Sequence, residues 1–212
     1  MAIQTANTIQ TDDTFLSVNW IDEKIILNQL NTLLSKFKFK YIKIGLIPSL
    51  NTLNKLIDLC VKSNSNAKII WDPILSASAG FNFNHDLSKL KNTLKHIYLI
   101  TPNWNEIKIL TNKTDEFEGA IQLSKYCKIL LKGGHHPTEK GKDYLFENGN
   151  KKAFNAKAIT FYPKHGSGCV LSSAITANLA NGYPLKKSIL RSKRYTERFL
   201  ASSQSLIGRH KL

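Results

Sequence analysis

The chain has 212 residues, enough for one sizeable domain with a real core. Its 30 basic and 15 acidic residues give a formal charge of +15, which raises the question of a nucleic-acid partner. The lysines are scattered among Asn and Ile with no run of five like charges, so the excess reads as compositional bias that at most helps attract a phosphorylated substrate.

The opening stretch, Met1 to Phe15, is polar with two acids and does not resemble a secretion signal. No apolar run approaches a membrane span. Cys60, Cys127 and Cys169 are odd in number, far apart and without a CxxC, which argues against a disulfide framework or zinc site and suits a reducing cytoplasm.

Strands and helices alternate along the chain. Residues 2–8 can be the tail of a strand. Asp22 caps a helix whose apolar face is Ile26, Leu30, Leu33, Leu34 and Phe37. Tyr41 to Ile47 reads as a buried strand, with Gly45 near its end. Pro48 or Ser49 opens a helix carrying Leu50, Leu53, Leu56, Ile57 and Cys60. Lys68 to Trp71 is a short strand stopped by Asp72-Pro73, and Ser76 to Asn84 reads as a loop. Leu87, Leu90 and Leu94 mark another helix. Ile97 to Ile100 is a strand, after which Thr101-Pro102 leads into a helix with Ile107 and Leu110 inside. A further helix spans about Phe117 to Tyr126. Lys128 to Leu131 is a strand ending in Lys132-Gly133-Gly134-His135-His136. Tyr144 to Ala153 is a hairpin turning at Asn148-Gly149. The last two helices begin near Ser167 and Pro184, with Gly182 as the stop between them.

This order argues for an α/β fold: a mostly parallel sheet with helices on both faces, in a single domain over 1–212 without repeats or linkers. In such sheets ligands bind beyond the carboxyl ends of the strands. The unusual turns sit at those ends: Gly45, Asp72-Pro73, Thr101-Pro102-Asn103 and Lys132-Gly133-Gly134.

His165-Gly166-Ser167-Gly168-Cys169 opens a helix with Leu171, Ile175 and Leu179 on one stripe. Free N–H groups at such a start, and the helix dipole, favour an anion. Cys169 lies in the first turn, where a thiol pKa is often lowered. The stretch is therefore either an anion hole with a titratable residue beside it or an ordinary glycine-rich loop before a core helix. These five residues alone favour the second.

Other candidates carry similar pairs of readings. Asn103 and Glu106, spaced i, i+3 at a helix start, can hold magnesium beside a polyphosphate, or can simply cap the helix. Asp72 can orient magnesium or a hydroxyl, or make the turn before Pro73. Lys132 can contact a transferring phosphate, or stand solvated before a loop. Adjacent His135 and His136 point apart and have no third ligand at suitable spacing, which disfavours a metal site. Trp71 and Trp104 read as packing rather than base stacking.

As an ordered set these stretches resemble the hydroxymethylpyrimidine/phosphomethylpyrimidine kinases of thiamine biosynthesis, in the ribokinase superfamily. The resemblance rests on Lys43-Ile44-Gly45-Leu46, Asp72-Pro73-Ile74, Thr101-Pro102-Asn103 with Glu106, Leu131-Lys132-Gly133-Gly134-His135, and His165-Gly166-Ser167-Gly168-Cys169, in the family's order and at its spacing. It implies a ribokinase-like three-layer sandwich and a magnesium- and ATP-dependent phosphotransferase. The enzyme would phosphorylate 4-amino-5-hydroxymethyl-2-methylpyrimidine and then its monophosphate.

By the resemblance, Cys169 falls on the catalytic base position and Gly166, Ser167 and Gly168 on the anion hole. Lys132, Gly133, Gly134 and Asn103 fall around the nucleotide phosphates, with Glu106 and Asp72 on the magnesium side. Gln4, Asn7 and Gly45 fall on the pyrimidine side. A homodimer with no nucleic-acid or membrane partner is implied as well.

Two departures accompany it. Family members usually begin with a strand carrying Gly-Ser-Asp and a glycine-rich segment that closes over the pyrimidine, and this chain starts after them, so the fold is expected to be incomplete at its N-terminus. A family-typical glutamine is replaced by Ala6, for which Gln4, on the same face of a strand, is the expected substitute. These departures keep open a weakly active or inactive relative that serves as a nucleotide-binding subunit. A pyridoxal kinase-like enzyme is a further alternative. Cys169, where the superfamily's sugar kinases typically carry Asp, speaks against the sugar branch.

Overall fold

The computed structural model describes residues 1–75, 86–136, 138–157 and 160–210. Its centre is a six-stranded sheet whose strands run in chain order: β3 (Tyr41–Ile44), β4 (Lys68–Trp71), β5 (Leu99–Ile100), β6 (Lys128–Leu131), β7 (Asp143–Glu147) and β8 (Asn150–Phe154). The first four are parallel and the last two antiparallel. Two strands that precede the sheet, β1 (Ala6–Gln10) and β2 (Phe15–Trp20), form a separate antiparallel hairpin.

Strand alternation distributes the core to two faces. Ile69, Trp71, Ile100, Ile129, Leu131, Tyr144 and Phe146 point to one side. That side is covered by α1 (Glu23–Lys36), α2 (Leu50–Ser63), α3 (Leu90–Leu94), α4 (Trp104–Thr111) and α5 (Glu116–Ser124). Ile70, Leu99, Leu130 and Leu145 point to the other, under α6 (Ser167–Ala180) and α7 (Leu185–Leu200). The result is the expected three-layer sandwich. Sequential parallel crossovers of one hand place their helices on one face, and the antiparallel hairpin β7–β8 lets the chain cross to the other. Both faces of the central strands are therefore buried, and each fully buried Ile or Leu contributes roughly 1.5–3 kcal/mol.

The helix starts follow from local chemistry. Asp22 accepts the N–H groups of Lys24 and Ile25, and Ser49 accepts that of Thr52. Asn148 and Gly149 adopt positive φ of 51° and 76°, which the two-residue turn joining β7 and β8 demands. Gly182, at φ 85°, ends the α6 segment before Pro184 caps α7.

Several expectations are corrected. The strand expected at residues 2–8 begins at Ala6, and it pairs with β2, a strand not foreseen. Gln4 therefore lies ahead of that strand rather than on its Ala6 face. β3 stops at Ile44, three residues short, because the chain turns toward Pro48. β5 keeps two residues of an expected four, and Leu87 precedes its helix. The loop expected at 76–84 lies outside the described residues. β3 stands at the edge of the sheet, with Tyr41, Ile42 and Lys43 only half-buried. A cavity of about 710 Å³ opens beside it, lined by Ile3, Thr5, Ile26, Leu30, Gly45 and Thr176 among others. Among the described residues no helix is long and apolar enough to cross a membrane.

Candidate active site

The turns at the carboxyl ends of β4, β5 and β6 are stitched together by backbone bonds. Asp72 N–H donates to Ile44 O, Thr101 N–H to Trp71 O, and Lys132 N–H to Pro102 O at 2.8 Å. Asn103 and Lys132 form an isolated parallel bridge. Asp72, Asn103 and Lys132 thus share one rim of the sheet, as their positions at strand ends require.

Lys132 is the centre of the rim. Its Nζ donates to Asp72 Oδ1 at 2.8 Å and lies 3.7 Å from Glu106 Oε2. Asp72, 1% exposed, also accepts Thr101 Oγ1 on Oδ1 and Ser172 Oγ on Oδ2, each at 2.9 Å. Burial would raise the Asp72 carboxyl, but Lys132, Lys43 and the Thr101 hydroxyl outweigh it and hold it below the usual carboxylate range. Burial would likewise lower Lys132, yet the adjacent Asp72 and then Glu106 hold it above the ordinary lysine value. Glu106 goes the other way: its burial outweighs Lys132 and the Asn103 N–H, and its carboxyl is raised.

Asn103 and Glu106 realise the capping reading in full. Asn103 Oδ1 accepts the N–H groups of Asn105 and Glu106 at 2.9 Å, and Glu106 Oε2 accepts the Asn103 N–H at 2.6 Å. This box also aims the Glu106 carboxylate toward Lys132. Capping and site-building are thus done by the same atoms.

Against this rim stands the N-terminus of α6. Gly166 sits at φ 74°, where only glycine is unstrained, and no side chain caps the helix. Gly168 faces Lys132: a Cβ on it would lie 3.1 Å from the Lys132 Nζ. An uncapped helix end close to an ammonium group favours negative charge in front of it. Cys169 follows in the same turn, half-buried. Its thiol is raised rather than lowered, which corrects the sequence expectation: burial comes first and the Asp72 carboxylate adds to it, against Lys43 and Lys132. Cys60 and Cys127 are pushed up by burial to about 11 and about 12.

The two glycines after Lys132 differ. Gly133 is buried, and a Cβ there would run into the backbone of Lys142; its N–H donates to Asp143 Oδ1 at 2.8 Å. Gly134 is exposed with open space around it. His136 is a satisfied histidine: Nδ1 accepts the N–H groups of Thr138 and Glu139, and the ring meets Trp104 edge-on. The side chain of His135 lies outside the described residues. Among the described residues no group of three His, Cys, Asp or Glu can hold a metal.

A cavity of about 700 Å³ runs from this rim to the tip of the β1–β2 hairpin, bordered by Lys132, Gly134, Ser167, Gly168 and residues 10–15. Gly45 stands apart from it, on the cavity beside β3. Gln4 and Asn7 are exposed and bond to each other, so neither joins the Lys132 cluster. Thr101 and Ser172 went unremarked as site residues in the sequence. The signal for Ser172 was its spacing, one helical turn beyond Gly168.

Residues 1–211 match the model of the family described as phosphomethylpyrimidine kinase. The chain is 30% identical over 192 residues to a hydroxymethylpyrimidine/phosphomethylpyrimidine kinase of Staphylococcus aureus (strain Mu50), covering 85% of this chain and 67% of the relative. It is also 30% identical over 217 residues to the thiamine biosynthesis bifunctional protein ThiED of Geobacter sulfurreducens, covering 97% of this chain but 44% of that longer protein. An ADP complex of Bacillus subtilis pyridoxal kinase superposes with a TM-score of 0.81 at 21% identity, over 97% of this chain and 83% of that one, which establishes the ribokinase-like fold. With the ordered strand-end motifs and the uncapped helix end set against Lys132, the chain belongs to the phosphomethylpyrimidine kinase family.

Proposed function

We propose that the chain is one kinase domain. It binds ATP–magnesium in the cavity between Lys132 and the α6 N-terminus, and transfers the terminal phosphoryl group to the hydroxymethyl group of 4-amino-5-hydroxymethyl-2-methylpyrimidine and to its monophosphate. The observation that carries the reading is the approach of Gly168 to Lys132, which sets an ammonium group and an uncapped helix end on one small volume. Phosphoryl transfer needs charge stabilised on the transferring oxygens and reactants held in line, and this pair supplies the first.

Each residue then has a role. Gly166, Ser167 and Gly168 receive phosphate oxygens through backbone N–H groups, and Lys132 neutralises them. Asp72 keeps the Lys132 ammonium in place, with Thr101 and Ser172 holding Asp72. Asn103 and the open Gly134 border the nucleotide. Gly133 shapes the turn rather than donating to phosphate, since its N–H is already taken.

The residues fit a magnesium ion of the kind that keeps its waters and takes one or two carboxylates beside a polyphosphate. Glu106 would hold it, while Asp72, whose two oxygens already accept Lys132, Thr101 and Ser172, would act through Lys132, and the bound ion would neutralise polyphosphate charge. Cys169 accepts the proton of the substrate hydroxyl in its thiolate form, having first lost its own proton to solvent; the raised pKa makes that thiolate the stronger base but the minor species at neutral pH, so transfer through it rises with pH. Gly45, Gln4 and Asn7 are assigned to the pyrimidine side. The three free cysteines suit a cytoplasmic enzyme, and the working assembly is a homodimer.

The test is titration calorimetry with ATP–magnesium, then phosphorylation of the hydroxymethylpyrimidine with pyridoxal offered in parallel. Folded protein that binds no nucleotide would refute the kinase reading. Turnover of pyridoxal alone would move the chain to that branch. Nucleotide binding without either turnover would leave the binding subunit.

A further inference from the structure

The turn that follows Lys132 is held from behind by a buried ion pair that no motif marked. Lys193, on the buried face of α7, reaches across to β7. Its Nζ donates to Asp143 Oδ2 at 2.7 Å and to the Gly141 carbonyl. Both side chains are 6% exposed. The other oxygen of the same carboxylate, Asp143 Oδ1, accepts the Gly133 N–H. The Gly133 carbonyl in turn accepts the N–H groups of Gly141 at 2.8 Å and His136 at 3.1 Å. The residue next to Lys132 is therefore fixed on both its polar atoms, and one of those fixings depends on α7, a helix from the opposite layer.

Stability alone is a poor reason for this pair. Two charges taken from water lose hydration that their attraction only partly returns, and apolar residues of similar volume often serve a core equally well. What leucines cannot do is accept the Gly133 N–H. The turn also passes so close to the chain entering β7 that any side chain at Gly133 would strike the Lys142 backbone. The same cavity wall contains Lys132, Gly141, Asp143 and Lys193.

We infer that Asp143, with Lys193 neutralising it, is a positioning residue for the phosphate-binding turn: it sets where the Lys132 backbone leaves β6, and so where its ammonium stands relative to Gly168. The inference rests on the nucleotide-binding reading above.

Two neutral double variants separate positioning from stability. Asp143→Asn with Lys193→Met keeps an acceptor for the Gly133 N–H. Asp143→Leu with Lys193→Leu removes it. Compared at matched melting temperature, the first should bind ATP–magnesium within about threefold of the unchanged chain, while the second should bind roughly tenfold or more weakly, the cost of one lost buried hydrogen bond and the displacement it permits. Amide exchange without nucleotide provides the independent readout: the Gly133 and Gly141 amides should be protected in the unchanged chain and the Asn–Met pair, and exchange faster in the Leu–Leu pair.

Equal nucleotide affinity and equal exchange in the two folded pairs would overturn the inference. So would a Gly133 amide that exchanges like an open loop in the unchanged chain, a result that needs no variant to fold. If the unchanged chain binds no nucleotide, the kinase reading fails by itself, and the exchange data still decide whether Asp143 holds the turn.

Discussion

Gly168→Ala separates the requirements of the site from those of the fold. Gly168 is the second residue of α6, so alanine there lowers the conformational freedom of the unfolded chain and stabilises the helix by about 0.5–1 kcal/mol. For a chain of this size that corresponds to a rise in Tm of roughly 1–4 °C. In the site the same methyl group would stand 3.1 Å from the Lys132 Nζ, a few tenths of an ångström too near. The ammonium cannot retreat freely, because Asp72 holds it at 2.8 Å. The methyl also occupies the approach that a phosphate oxygen needs to reach the helix end. A loss of about 1.4 kcal/mol, one hydrogen bond to a charged group, corresponds to tenfold weaker binding. The expected outcome is a variant at least as stable as the unchanged chain but about tenfold or more weaker for ATP–magnesium, measured by thermal unfolding and calorimetry on the same samples. Undiminished nucleotide affinity would show that phosphate does not sit between Gly168 and Lys132.

Three further outcomes follow from the same geometry. Gly133→Ala should cost about 3 kcal/mol or more, because the methyl meets backbone rather than a movable side chain, while Gly134→Ala should stay within about 0.5 kcal/mol; urea unfolding of the two distinguishes them. Alkylation should label Cys169 ahead of Cys60 and Cys127, whose thiols are pushed up to about 11 and about 12, and ATP–magnesium should slow it; Cys169→Ala should lower turnover by ~10²–10⁴-fold with nucleotide affinity kept, and equal labelling of all three thiols would return Cys169 to a packing role. The folded-state pKa of Asp72 is depressed, so its contribution to stability is complete above the unfolded value of about 3.9 and is lost as pH falls through the lower folded value; the acid limb of the stability–pH curve should flatten in Asp72→Asn, and an unchanged limb would mean that the Lys132 pair contributes nothing.

Much of this molecule was decided by sequence alone. The turn at Asn148-Gly149 needs two positive φ values, and those residues adopt them at low cost, so the hairpin was legible without any tertiary information. The caps at Asp22 and Ser49 are equally local, since each side chain meets N–H groups within three residues of itself. Lys68–Trp71 and Lys128–Leu131 were legible as strands because both faces are apolar and a turn signal follows each. The rim followed from those strands, because residues that end parallel neighbours must lie side by side.

What tertiary structure decided lies beyond the reach of local chemistry. Asn103 and Glu106 carried a capping and a metal reading from the same spacing, and only the packed helix shows both side chains closing the cap while Glu106 faces Lys132. The Cys169 thiol was expected to be lowered by its helix end; burial and a carboxylate brought from β4, 97 residues earlier in the chain, raise it instead. The strand Ala6–Gln10 is largely exposed and lacks an alternating apolar pattern, so it gave no signal, whereas Phe15–Trp20 does alternate Leu16, Val18 and Trp20 with Ser17 and Asn19 and was legible as a half-buried strand, though not foreseen. Lys193 gave no signal on a helix rich in basic residues, because a buried lysine is distinguished from a solvated one only by the carboxylate opposite, and that carboxylate is Asp143, fifty residues away along the chain.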